Sequence, residues 1–339
     1  MALAHVARAL DGVRTPVLRL AFAHSATLRR AAASRPHRLA LIAVTSTVLA
    51  FALALGAPGL LYLWGPLLLG VPHLVADVRY LVVRPPGALR YRRRDLAVVA
   101  LLAATLWQPS PAVGGAAVLA AVALAPMPRA GDARAWLRRG VVMAAAGALY
   151  APAWRADLTA SYLLVHGHNV VAIGLFVTVF GRGRGRWLVL GVAGVGAAVI
   201  FSGLVDPLLQ RGALDEIAAY VLPIEALEAW SPVVCARIAL SFVFLQSVHY
   251  AIWLRLIPEQ ARPRPGMRGF GASLRALQHD LSPWVVLAIV GLALALIGYG
   301  FGNTLAARDL YLSLAGFHAY LELAFLARWL VRPRELPAA

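Results

Sequence analysis

Runs of apolar residues long enough to cross a lipid bilayer recur along the whole chain, and no polar stretch between them is long enough to build a separate core. A crossing helix needs about 20 predominantly apolar residues, because the hydrocarbon layer is ~30 Å thick and each residue advances a helix by about 1.5 Å. Apolar runs lie at 39–58, 60–83, 95–109, 111–127, 140–154, 158–180, 187–205, 232–256, 283–303 and 308–331. Lipid offers no partner for backbone N–H and C=O groups, so such runs fold as helices. The expected fold class is therefore all-α: a polytopic transmembrane helical bundle of about ten spans. Composition agrees, with 61% of the 339 residues hydrophobic and only 14% charged. A soluble domain is about half apolar and a quarter charged.

Charge sets the expected topology. The runs 95–109, 111–127 and 140–154 are short for a crossing, and the pair around "WQPSP" invites reading as one broken helix. Counting ten spans from a cytoplasmic N-terminus places the Arg-rich loops 84–94, 128–139, 181–186 and 257–282 inside, with the tail 332–339. The loop 206–231, with Asp206, Asp215, Glu216, Glu225 and Glu228, falls outside. Every loop then obeys the positive-inside rule, whereas merging 95–127 into one span inverts the later loops. Ten spans, or nine with a re-entrant pair, and cytoplasmic N- and C-termini follow. The expected organisation is a basic amphipathic cytoplasmic segment at 1–38, a membrane domain at 39–331 and a tail at 332–339. "HVARALDGVRTPVLRLAFAH" reads as a helix on the inner leaflet rather than as a cleavable signal.

The net charge of +17 does not point to nucleic acid, because the arginines fall in loops between apolar runs. Cys235 is the one cysteine, which excludes an intrachain disulfide framework, a zinc ribbon and a cysteine-ligated iron–sulfur cluster. No Gly-x-Ser-x-Gly motif appears, and Ser161, Ser202 and Ser241 read as helix-packing residues. "GRGRGR" lacks the lysine of a phosphate loop.

Of nine histidines, His5, His24, His37 and His279 lie outside the runs. His73, His166, His168, His249 and His318 lie within four separate ones. Ionisable side chains in a span tend to face a protected interior, and imidazoles on facing helices build metal sites. Each has polar company on the same helix face. Asp77 is four after His73, Glu322 four after His318, Asn169 three after His166, and Gln246 three before His249. Metal-bound imidazoles give their other N–H to such groups. Asp77 therefore reads either as the acceptor for His73 or as a partner of Arg79 at the helix end. The constellation reads as a metal site, against plain hydrogen bonding between helices, haem or proton transfer. An all-imidazole set backed by carboxylates suits iron, copper or zinc. Fe(II) is the expected metal, since oxygen and apolar substrates both partition into hydrocarbon. A bis-histidine haem, pairing His166 or His168 with His318, is the alternative.

"GVPHLVAD", residues 70–77, resembles the first motif, Gly-x-Pro-His-Gly-x-x-Asp, of the Brp/Blh-type bacterial β-carotene-cleaving dioxygenases, with Leu74 where that family has glycine. Val165-His166, "FLQSVHY" and "GFHAYLELAF" follow in the family's order, with Leu245 in place of the first histidine of a late pair. The resemblance implies a multi-pass protein of the bacterial inner (cytoplasmic) membrane. It also implies a histidine-bound non-haem iron oxygenase acting on an apolar isoprenoid, carotenoid or lipid. The competing readings are a transporter or proton-conducting protein and a structural membrane protein with polar helix packing. Histidines outnumbering carboxylates within the spans favour the first.

Overall fold

Three helices begin at a Ser-Pro step: α6 (Pro111–Ala123), α12 (Pro232–Gln260) and α14 (Pro283–Gly302). The hydroxyls of Ser110, Ser231 and Ser282 accept from the backbone N–H three residues on, at 3.5, 3.4 and 3.4 Å. Proline at the first helical position has no N–H to leave unsatisfied. The structure, a computed structural model, describes residues 2–86, 95–107, 110–128, 130–154, 159–183, 185–263 and 266–331. The expected tail 332–339 and most of the loop 84–94 lie outside the described residues.

In chain order, α1 (Ala2–His24), α2 (Ala26–Ala33), α3 (Arg35–Gly56) and α4 (Pro58–Val83) precede α5 (Leu96–Trp107) and α6. Then come α7 (Ala133–Trp154), α8 (Thr159–Leu175, prolonged by a π turn Phe176–Phe180) and α9 (Gly185–Phe201). Two short helices follow, α10 (Arg211–Val221) and α11 (Ile224–Ala229). After α12, α13 (Phe270–Leu281) and α14 lead to α15 (Thr304–Val331). No strand occurs among the described residues, so the chain is all-α.

The described residues of each of the ten apolar runs lie mainly on a helix, but among the described residues only six helices are long and apolar enough to cross a membrane: α3, α4, α8, α12, α14 and α15. α5, α6 and α9 are apolar but have 12, 13 and 17 residues. At 1.5 Å per residue α5 and α6 reach only about 18 and 20 Å. α7 has 22 residues, but its first turns carry Arg134, Arg138 and Arg139.

Ionic and polar contacts bring helix ends together at two levels. At one end Arg38 at the start of α3 pairs with Glu259 at the end of α12 (2.9 Å). Arg79 in α4 meets Asp280 in α13 (2.6 Å), and Asp95 just before α5 meets Arg328 near the end of α15 (3.0 Å). Arg139 donates to the carbonyls of Ala123, the last residue of α6, and of Ala125 just past it (2.7 and 3.1 Å), where a helix leaves carbonyls unpaired. At the other end Gln210 donates to the Gly56 carbonyl (2.7 Å), and Arg237 at the start of α12 pairs with Asp206 (2.9 Å).

α1 packs on α13, and one polar residue ties the two helices together. Asp11 accepts from the N–H groups of Phe270 and Gly271, at 2.7 and 2.9 Å, and so caps the N-terminus of α13 from a distant segment. The hydrogen bonds from Gly271 and Phe270 hold the Asp11 carboxyl below its ordinary pKa of 3.8. Val6, Leu10, Val13, Val17 and Leu20 of α1 remain exposed along one stripe. Because the folded pKa is lowered, the docking energy from Asp11 is fully present above pH 3.8 and is lost as pH falls through the lowered value. Hydrogen exchange at Phe270 and Gly271, corrected for intrinsic rates, tests this. Protection should fade on acidification in wild type and be weak at every pH in Asp11→Ala. Protection indifferent to both changes rules the cap out.

A candidate metal centre between four helices

Helix α4 is unusual before its side chains are considered. The α-helical stretch Val71–Asp77 sits between two π turns, Pro66–Gly70 and Val78–Val83. Pro66 and Pro72 have no N–H to give to the preceding turn, and π turns occur frequently at functional sites. A further π turn, Ile252–Leu256, starts three residues after His249 in α12. Close approach of α15 to α4 depends on Gly70, since a Cβ there would run into the Tyr311 ring. Tyr311 Oη in turn lies 3.4 Å from His73 Nδ1, and its hydroxyl also hydrogen-bonds Tyr250.

Four of the five expected histidines come together. Ring centroids of His73 lie 5.2 Å from His249 and 4.9 Å from His318. His168 lies 5.3 Å from both His249 and His318. His73, His249 and His318 each offer a ring nitrogen, and these nitrogens lie within 4.8 Å of one another. His168 Nδ1 faces the Leu164 carbonyl of its own helix (3.0 Å), and His318 Nδ1 faces that of Ala315. An Nδ1–H given to a carbonyl leaves the Nε2 lone pair free for a cation.

What is left unpaired matters as much. His73 Nε2, both ring nitrogens of His249, His318 Nε2, both oxygens of Asp77 and Glu322 Oε2 are buried and have no hydrogen-bond partner among the described residues. His249 Nε2 comes no closer than 3.5 Å to Glu322 Oε1, beyond a good hydrogen bond. Each unsatisfied buried polar atom costs about 1–3 kcal/mol. One cation answers several of these atoms at once, so the buried histidine and acid cluster could hold a metal ion.

Asp77 shares the His73 face, as the helical spacing suggested, but makes no hydrogen bond to His73. One of its oxygens lies within 4.8 Å of a ring nitrogen of His318 and of a carboxylate oxygen of Glu322, all three residues buried. Its side chain is short and meets α15, which runs alongside α4 in the same direction, while the His73 ring reaches Tyr311. Arg79 is not its partner either, being engaged by Asp280 at 2.6 Å. Glu322 Oε1 accepts from Trp253 Nε1 at 2.8 Å. His166 stands apart from the cluster: Nε2 bonds the Val221 carbonyl at the open end of α10 (2.8 Å), and its ring meets Phe242. Asn169 donates back to Val165 of its own helix (3.4 Å), with Oδ1 unpaired. Gln246 lines a cavity of about 390 Å³ that reaches His73, His168 and His318. A cavity of about 650 Å³ lies at the arginine-rich end and touches none of the histidines.

Sequence reasoning missed Trp253, Tyr250 and Tyr311. Trp253 is four residues after His249, the spacing that marks Asp77 after His73, but an indole in an apolar run reads as packing rather than as polar company. Tyr311 lies seven residues, about two turns, before His318 on the same face of α15, and it reaches His73 from that neighbouring helix.

No family model, curated protein or solved structure matches the chain. Its chemistry is therefore read from the cluster itself. Alanine is the better helix former by about 1 kcal/mol, so Gly70→Ala in open space should stabilise. Against the Tyr311 ring it should instead destabilise by about 1–3 kcal/mol. In a Tyr311→Ala background the same change should be neutral or stabilising. Thermal unfolding of the double-mutant cycle reads this, and simple additivity removes Tyr311 as the obstacle.

Proposed function

We propose that this is an integral membrane protein holding one metal ion with His73, His249 and His318, joined by His168, and using it in oxygenase-like chemistry on an apolar isoprenoid, carotenoid or lipid. The observation that carries the reading is the convergence of three buried imidazoles whose ring nitrogens lie within 4.8 Å of one another. Asp77 and Glu322 are proposed as the anionic partners behind them, and Trp253 as the group that orients Glu322. His166, bonded to Val221, is assigned to holding α10 on α8.

Fe(II) fits a site of neutral nitrogen ligands with carboxylates behind, a donor set that copper and zinc also accept. When bound, iron supplies the electrons that make oxygen reactive toward a carbon–carbon double bond. The protein's own contribution is shape and dryness. Leu164, Val165 and Phe242 line the cavity beside the imidazoles, so an apolar chain can lie against them with water excluded. The resemblance of "GVPHLVAD" to the carotenoid-cleaving family supports this substrate class.

We place the ends carrying Arg38, Arg79, Asp95 and Arg328 at the cytoplasmic face of a bacterial inner membrane. Ten crossings, with the short α5, α6 and α9 reaching the interfaces through their flanks, support both termini inside. The apolar stripe of α1 lies on the inner leaflet. Because Cys235 is the one cysteine and is buried, single introduced cysteines report sidedness cleanly. Glu216→Cys should react with an impermeant thiol reagent in intact cells, and Arg182→Cys only after permeabilisation. The reverse pattern overturns the orientation.

A proton-conducting role has one observation in its favour, the mutual burial of Asp77 and Glu322. Elemental analysis separates the two readings. Purified protein should hold a transition metal. His73→Ala, His249→Ala and His318→Ala should lose it, and His166→Ala should keep it. Asp77→Asn and Glu322→Gln should bind it about 10–100-fold more weakly. Metal-free wild type, or His73→Ala with wild-type content, ends the metal reading.

A further inference from the structure

The cavity that touches His73, His168 and His318 is not apolar throughout. Tyr62, Tyr220 and Arg308 also line it. Arg308 lies ten residues before His318 on α15, which puts it about 15 Å along the helix axis from the cluster. Tyr220 is exposed at the end of α10, so this part of the cavity opens toward the bundle end opposite the arginine cluster.

Arg308 is only 7% exposed. Its guanidinium lies over the Tyr62 ring, 3.9 Å from the centroid, and 5.9 Å from that of Tyr220. Nη1 pairs with Asp309 at 3.1 Å, but that carboxylate is 58% exposed and solvated. Arg308 Nε has no hydrogen-bond partner among the described residues. Guanidinium stays charged in proteins and carries five donors in a planar fork. Burying such a group beside a cavity is costly unless an acceptor answers it. A hydrocarbon ligand adds no acceptor to the one solvated carboxylate of Asp309, whereas a ligand carboxylate supplies a second with the geometry that guanidinium favours.

We infer that the cavity takes a single-chain amphiphile, an unsaturated chain ending in a carboxylate, with the carboxylate docked on Arg308 and the chain running toward the histidines. The volume of about 390 Å³ is that of a site for one small molecule. The inference rests on the proposed metal centre for which part of the chain reacts, and not for the docking. Arg308 thus sets the distance from the carboxylate at which the chain meets the imidazoles.

Binding of radiolabelled oleate, with oleyl alcohol as the neutral analogue of the same chain, is measured on metal-stripped and metal-loaded protein in nanodiscs. Wild type should prefer oleate by about tenfold or more in both forms. Arg308→Met should lose the preference while keeping its affinity for the alcohol and its metal content. Arg308→Lys, which keeps the charge but not the fork, should retain part of it and serves if the Met variant does not fold. The proposal is overturned if oleate binds no better than the alcohol, or if Arg308→Met and Arg308→Lys both keep the full preference. It is equally overturned if the preference appears only with metal and vanishes in His73→Ala, which places the carboxylate at the metal. A preference carried by Arg308 in a protein that never holds metal leaves the docking standing and removes the oxygenase reading.

Discussion

Neutral imidazoles in hydrocarbon have no water to turn to, so each must find a partner inside the bundle. Most of the packing around α4, α8, α12 and α15 follows from that requirement. The four helices can share one centre only if their backbones come close, and Gly70 under the Tyr311 ring is where α4 and α15 do so. The π turns at both ends of Val71–Asp77 widen the helix there. The ring nitrogens left without protein partners then define a common point rather than scattered helix–helix hydrogen bonds.

The ionic contacts do a different job. Arg38–Glu259, Arg79–Asp280 and Asp95–Arg328 tie helix ends that lie far apart in sequence. Pairs of this kind contribute little net stability when buried, but removing one partner leaves an unmatched charge. They fix how far each helix is pushed along its axis. Axial position decides whether His73, His249 and His318 lie at the same depth, so the polar belt at one end constrains the centre in the middle.

The helical fold was legible from the apolar runs alone, because in lipid a long apolar segment has few structural options. The number of crossings was less so. α5 and α6 are apolar enough for lipid but have 12 and 13 residues, and α6 opens at the Ser110–Pro111 cap, a boundary that hydrophobic periodicity does not register. The choice among histidines shows the same divide. Spacing along a helix identified the face that carries His73 and Asp77, since face is a local property. It could not tell that Asp77 would meet His318 and Glu322, or that His168 rather than His166 would turn to the centre. Those outcomes depend on which neighbour each face meets. Two residues apart on a helix, His166 and His168 face different neighbours: His166 the Val221 carbonyl, His168 the rings of His249 and His318.

With α8 and α12, the centre joins the second and the last of the candidate spans, whose His73 and Tyr311 are 238 positions apart in sequence. During synthesis His73 enters the bilayer long before α15 is made. For that interval the nascent protein carries a buried polar face with no counterpart, and the same holds for Asp77. The last helix is therefore a keystone: the full set of imidazoles exists only once α15 has entered and slid beneath Gly70. A chain stalled before that point would keep most of its spans while exposing an incomplete nest of nitrogens and carboxylates.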